Sequence, residues 1–166
     1  VLQELSEALG ERHEEISYSL EAIGLLDEAD AAGRLSNDLN ATAPEVTRPN
    51  QAFDLRYLRH PLLILQGKKV IPSDVRLTGD ARTLIISGPN AGGKTVTLTA
   101  VGLSALMLRM GLPIAAEAGS RLPLYPGVYA AIGDMQSLEK DLSTFSAHLV
   151  ALRDILARAS PGALIL

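Results

Sequence analysis

Residues 86 to 98, ISGPNAGGKTVTL, constrain this chain more than any other stretch, because Gly88, Gly93, Lys94 and Thr95 satisfy the spacing G-x-x-x-x-G-K-[ST]. An apolar run, TLIIS, precedes the pattern, and KTVTLTAVGLSALMLRM, rich in small and apolar residues, follows it. That setting predicts a buried strand entering a loop whose backbone N–H groups converge on an anion. The positive end of the following helix points at the same place. Glycine lets the backbone approach phosphate oxygens, Lys94 reaches the β- and γ-phosphates, and the Thr95 hydroxyl ligates Mg²⁺. A merely flexible turn would need neither flank.

The remainder reads as a layered α/β domain behind a helical segment. Leu2, Leu5 and Leu9, then Ile16, Leu20 and Ile23, have helical periodicity. Gly10 and Gly24 are expected to weaken or divide that helix, with Asp27 capping a second one. Pro44 and Pro49 end the helical pattern, giving a helical segment over 1–49 and a second unit over 50–166. In the second unit LLILQ, VIPSDVRL, TLIIS, stretches around Ile114 and Leu122, GVYAAI and ALIL are predicted strands, and TGDAR a turn. Gly111 is placed to cap the helix after the loop. STFSAHLVALRDILARA is predicted to be a helix with Phe145, Leu149, Leu152, Ile155 and Leu156 on one face.

Composition narrows the function classes. The chain has 166 residues, 47% of them hydrophobic, and no run long enough to span a bilayer, so no membrane role is expected. Aromatic residues make up 4% with no Trp, which argues against stacking platforms for single-stranded nucleic acid. The net charge is −4, with 15 basic residues among 19 acidic ones, so any grip on nucleic acid is expected from another segment. Without cysteine there is no disulfide framework or thiolate metal site. The opening VLQELSEALG lacks a signal-peptide pattern and PGALIL stops inside an apolar run. Both fit an internal fragment of a longer protein.

The loop variant GPNAGGKT, with Pro89, Asn90 and the doubled Gly92 and Gly93, resembles the loop of MutS proteins. RHPLL at 59 to 63, VIPSDVRL at 70 to 77 and LSTFSAHL at 142 to 149 resemble the other MutS segments in order and spacing, the last being similar to the signature of ABC ATPases. GLPIAAEAGSRLPLY, IGDMQSLEKDLSTFSAHL and LDEADAAGRLSNDLNATAPEV resemble the second bacterial type of that family, the recombination-suppressing paralogue. The resemblance implies the first part of an ABC-like P-loop ATPase domain, preceded by a helical core and arm, in a cytoplasmic homodimer that uses ATP and Mg²⁺. It implies action on branched DNA, in some members on collided ribosomes, and usually a following nuclease domain. By position, Gly88, Pro89, Asn90, Ala91, Gly92, Gly93, Lys94 and Thr95 would hold the phosphates, with Asn90 facing the γ-phosphate and Thr95 on the metal. Val70 and Ile71 would pack the adenine, and Ser143 and Thr144 would reach the partner subunit's ATP. An Asp and a Glu for metal and water would follow ALIL, beyond Leu166, so a non-hydrolysing nucleotide-binding or dimerisation module stays open for residues 1–166 alone.

Other residues have plainer readings. His13 begins an H-E-x-x pattern, but position 17 is Ser, so no zinc site is expected. His60, before Pro61, lies near the nucleotide base or closes a turn. His148 is a helix-surface or interface residue, Lys68 and Lys69 form a solvated turn, and STFS alone would be an N-cap. Glu117 falls near a Gln of mismatch-repair relatives, and its role is open.

Overall fold

The computed structural model describes residues 1–49, 51, 53–78, 81–89, 92–132 and 141–166, the side chains of 141–148 excepted. Two nearly continuous helices open the chain, α1 (Leu2–Glu11) and α2 (His13–Leu39). The expected break at Gly10 falls at Arg12, whose N–H bonds to Leu9 O at 3.2 Å. Gly24 does not divide the helix and Asp27 does not cap one, because α2 runs through both. One glycine costs about 1 kcal/mol, too little to stop 27 residues of helix. The helix ends where Asn40 turns left-handed, at φ 46° and ψ 49°.

A four-stranded sheet has the order β1 (Glu45–Thr47), β4 (Arg121–Pro123), β2 (Phe53–Leu58), β3 (Ser73–Leu77). β1 runs parallel to β4, while β2 is antiparallel to both its neighbours. Alternation puts Phe53, Leu55 and Val75 into the core with Leu122. At Tyr57, φ 49°, the register shifts between Leu55 and Leu58, and this bulge returns Leu58 to the buried side. On the other face Glu45, Arg121, Asp54 and Arg76 are successive cross-strand partners, one per strand, with alternating charge. Arg121 Nε lies 3.1 Å from Glu45 Oε2, and Arg76 Nε lies 2.7 Å from Asp54 Oδ1. Arg56 Nη2 adds a contact of 2.9 Å to Asp54. Burial pushes the Asp54 carboxyl up, but hydrogen bonds and positive charge from Arg56 and Arg76 outweigh it and hold the group below its ordinary value.

LLILQ is not a strand. Pro61 occupies the first turn of the short helix α3 (Pro61–Leu65), and His60 Nδ1 accepts from Leu63 N–H at 3.4 Å, a proline-initiated and side-chain-capped start. TLIIS is not a buried strand either. It runs without a ladder partner among the described residues, and Ile85 is 84% exposed. VIPSDVRL shortens to β3, the stretch near Ile114 is a single bridge to Thr42, and GVYAAI shortens to β5 (Val128–Tyr129). ALIL does form a strand, β6 (Leu164–Ile165), parallel to β5. Two residues of the TGDAR turn lie outside the described residues.

Helix α4 (Lys94–Arg109) packs Ala100, Val101, Ala105 and Met107 into the core. Gly111, at φ 75°, closes it one position beyond the last capping residue, Met110. Gly111 N–H bonds to Leu108 O at 3.0 Å and Leu112 N–H to Met107 O at 2.9 Å, the paired bonds of a Schellman motif. The chain then passes between the ends of α2 and β2. Thr42 and Ile114 exchange both backbone bonds at 2.9 Å, and Arg59 N–H bonds to Ala115 O at 2.9 Å. Arg59 Nη2 reaches Asn40 O at 2.8 Å. Helix α5 (Asp141–Arg158) buries Ile155, but Leu149, Leu152 and Leu156, expected on its covered face, are 37% exposed or more.

Candidate functional site

The chain enters the loop at Gly88, whose φ of 149° suits glycine and strains other residues. Gly92 N–H donates to Pro89 O at 2.9 Å, closing a four-residue turn over Asn90 and Ala91, which lie outside the described residues. A Cβ on Gly92 would stand 3.0 Å from that same oxygen, so the turn as built has no room for a side chain. Gly93, left-handed at φ 73° and ψ 13°, then starts α4 at Lys94.

Glycine at this cap offers the helix start no side-chain acceptor. The first N–H groups of a helix have no intrahelical acceptor, so the amides at the start of α4 face outward with the positive end of the helix dipole. Lys94 folds back over the loop, its Nζ donating to Gly88 O at 2.6 Å and Pro89 O at 2.7 Å. Thr95 is exposed on the first turn, and its carbonyl accepts from Thr99 Oγ1 at 2.6 Å. A concave turn closed by glycine, uncapped amides and an ammonium held above them fit a phosphate group.

The other expected site residues sit elsewhere. Val70 is half-buried and Ile71 81% exposed, in the stretch between α3 and β3. Among the described residues neither shares a hydrogen bond or a cavity with the loop. Ser143 and Thr144 are the third and fourth residues of α5, inside its first turn and not at its cap, and their side chains lie outside the description with that of His148. His60 closes a turn as the cap of α3, and its burial pushes its pKa below the ordinary value of 6.5. Glu117 is exposed. Its N–H donates to Arg56 O at 2.8 Å and its carbonyl accepts from Ser120 Oγ at 2.7 Å, pinning this turn to β2. Sequence reasoning missed that anchor, although a Ser three residues after Glu117 is a turn-closing signal.

An apolar cavity of about 480 Å³ lies between TLIIS and β6, floored by Leu98 and Val101 of α4 with Phe53 and Val75. Tyr125 borders it, and burial raises its hydroxyl pKa to about 12. Among the described residues no group of three or more His, Asp or Glu gathers for a metal, and no helix is long and apolar enough to cross a membrane.

The family model for MutS domain V matches residues 84–166, which starts just ahead of the loop. Endonuclease MutS2 of Anaeromyxobacter sp. (strain Fw109-5) is 53% identical over 175 residues, covering 100% of this chain and 22% of that protein. Endonuclease MutS2 of Pelotomaculum thermopropionicum is 46% identical over 166 residues, covering 100% and 21%, and that of Lactiplantibacillus plantarum is 40% identical with the same coverage. The chain thus spans about a fifth of the length of the curated relatives it matches. With the family model matching half of the chain and relatives of one type aligned along all of it, the chain belongs to the MutS family, as part of a MutS2-type paralogue.

Proposed function

We propose that residues 50–166 are the first part of an ABC-like P-loop ATPase domain and that residues 1–49 close the helical core and arm before it. On this reading the full-length protein is a cytoplasmic homodimeric ATPase that couples ATP binding and hydrolysis to handling branched DNA and restraining recombination, with DNA held by other domains. The observation that carries the reading is the loop itself: a glycine-closed turn, an uncapped helix start and Lys94 above them, inside the match to MutS domain V. The endonuclease activity in the relatives' name would belong to a part outside residues 1–166.

Lys94 and the amides from Gly92 to Thr95 would neutralise β- and γ-phosphate charge, Asn90 would face the γ-phosphate, and Val70 and Ile71 would flank the adenine. Thr95 would hold Mg²⁺, which when bound offsets phosphate charge. Ser143 and Thr144 would act from the partner subunit. The test is phosphate release by full-length protein carrying either Lys94→Ala or Ser143→Ala with Thr144→Ala. Each alone is expected to be inactive, and a mixture to regain partial activity through its one intact composite site. Heterodimers that form without any recovery would overturn action across the interface.

A further inference from the structure

The helices at the start of the chain carry a seam that nothing among the described residues covers. Leu2, Leu9, Ile16 and Ile23 recur at intervals of seven, across Arg12, and Leu5 and Leu26 take the intervening apolar position at the two ends. That is the a/d pattern of a coiled coil over four heptads. Leu20 widens the seam, and Gly10 and Gly24 fall off it, where a missing side chain costs no contact. Along the stripe exposure runs from 40% at Ile16 to 84% at Leu2, so these residues form a face and not a core.

Charge selects what can cover that face. Residues 1–39 hold ten acidic and two basic residues, while the rest of the chain holds nine acidic and thirteen basic. Glu15 and Asp27 border the seam, and Glu7, Glu14, Glu21 and Glu28 run down the opposite side at the same interval. A second copy of this helix would set acidic flank against acidic flank, and a DNA backbone would be repelled outright. A lysine-bordered helix is attracted on both counts. Arg12, in an otherwise apolar register, calls for a carboxylate opposite and so fixes the alignment.

We propose that α1 and the first half of α2 form one strand of a coiled coil whose other strand is a lysine-bordered amphipathic helix of the same polypeptide, outside residues 1–166. The larger part of each MutS2 relative lies outside the match, so there is ample chain to supply it. A stripe of about 25 residues, roughly 37 Å long, promotes self-association when left open between encounters. A tethered helix covers it at an effective concentration in the millimolar range.

The experiment is zero-length carboxylate-to-amine cross-linking of the full-length protein, prepared as a mixture of light and heavy nitrogen-labelled chains and read by mass spectrometry. Glu15 and Asp27 are expected to join lysines of a single segment outside residues 1–166, always within one isotope label. Mixed labels at these positions would put a second copy on the seam and overturn the proposal, as would the absence of such cross-links. In the same protein, Ile16→Asp with Ile23→Asp is expected to speed amide exchange in residues 2–26 and in the cross-linked segment by roughly tenfold or more, leaving nucleotide binding unchanged. Unchanged exchange in that segment would overturn it as well.

Discussion

Lys94 Nζ stands 2.6 Å from the carbonyl oxygen of Gly88, so the ammonium that would meet a phosphate is already bound to the entrance of its own loop. Removing it takes two exposed hydrogen bonds from the loop, which water replaces, and no core contact. Lys94→Ala is expected to leave stability within about 0.5 kcal/mol. It should weaken nucleotide binding by roughly tenfold to a hundredfold, the worth of a charge-assisted contact. Equilibrium binding of a fluorescent ATP analogue, with circular dichroism on the same samples, measures both. Full affinity in a folded variant would remove the loop from the binding site.

Glycine substitutions separate the loop from the arm. Gly93→Ala places a methyl at φ 73° and should destabilise by about 1 kcal/mol. Gly92→Ala must also push aside the Pro89 carbonyl. Gly10→Ala, inside α1 with open space around the added carbon, should stabilise by about 0.5–1 kcal/mol. Urea midpoints compare the three, and a common sign at positions 10 and 93 would contradict the backbone geometry.

His60 gives a pH dependence with a defined sign. Its folded pKa lies below 6.5 because burial disfavours the charged ring, and the Nδ1 lone pair is engaged in capping. Its contribution is therefore complete above 6.5. It is lost as pH falls through the folded value, since the unfolded chain takes up the proton first. His60→Asn keeps a capping acceptor and should flatten this dependence. Unfolding free energies at about pH 7.5 and about pH 5 test it, and equal slopes in both proteins would discount His60.

Asp54→Asn should cost about 1 kcal/mol, a value discounted because the arginines it holds are half-exposed. Its carboxyl contributes stability above the ordinary value of 3.8, lost as pH falls through the lower folded value. The gap between variant and parent is thus expected to close in acid. A gap that persists below that range would show that shape, not charge, sets the cost.

What the sequence made legible was whatever one local signal decides. The Gly88 to Thr95 spacing announced a helix at Lys94, and Gly111 announced its end. LLILQ misled because its apolar run suits either a strand or a buried helix, and Pro61 with His60 cast the deciding vote from outside the run. TLIIS misled for a different reason: apolar content predicts burial, but a strand exists only through a partner ladder. The Asp54 ion pairs were invisible because their members stand on separate strands. Of the site, the loop glycines and Lys94 come together as expected, whereas nothing local fixes where Val70 and Ile71 lie relative to them.

The row of alternating charge across the sheet also bears on the order in which the chain assembles. β2 and β3 are close in sequence and pair first at small entropic cost, while Arg121 must return from far along the chain to lie beside Asp54. β1 touches only β4 within the sheet, so it has nothing to join until that return is complete. Because side chains alternate faces, a slip of one residue by either late arrival would turn Arg121 or Glu45 toward Leu55 and Leu122. The charged row therefore works as a proofreading device: misaligned intermediates carry a buried charge and come apart, and only the correct alignment survives long enough for α2 to be anchored through Thr42.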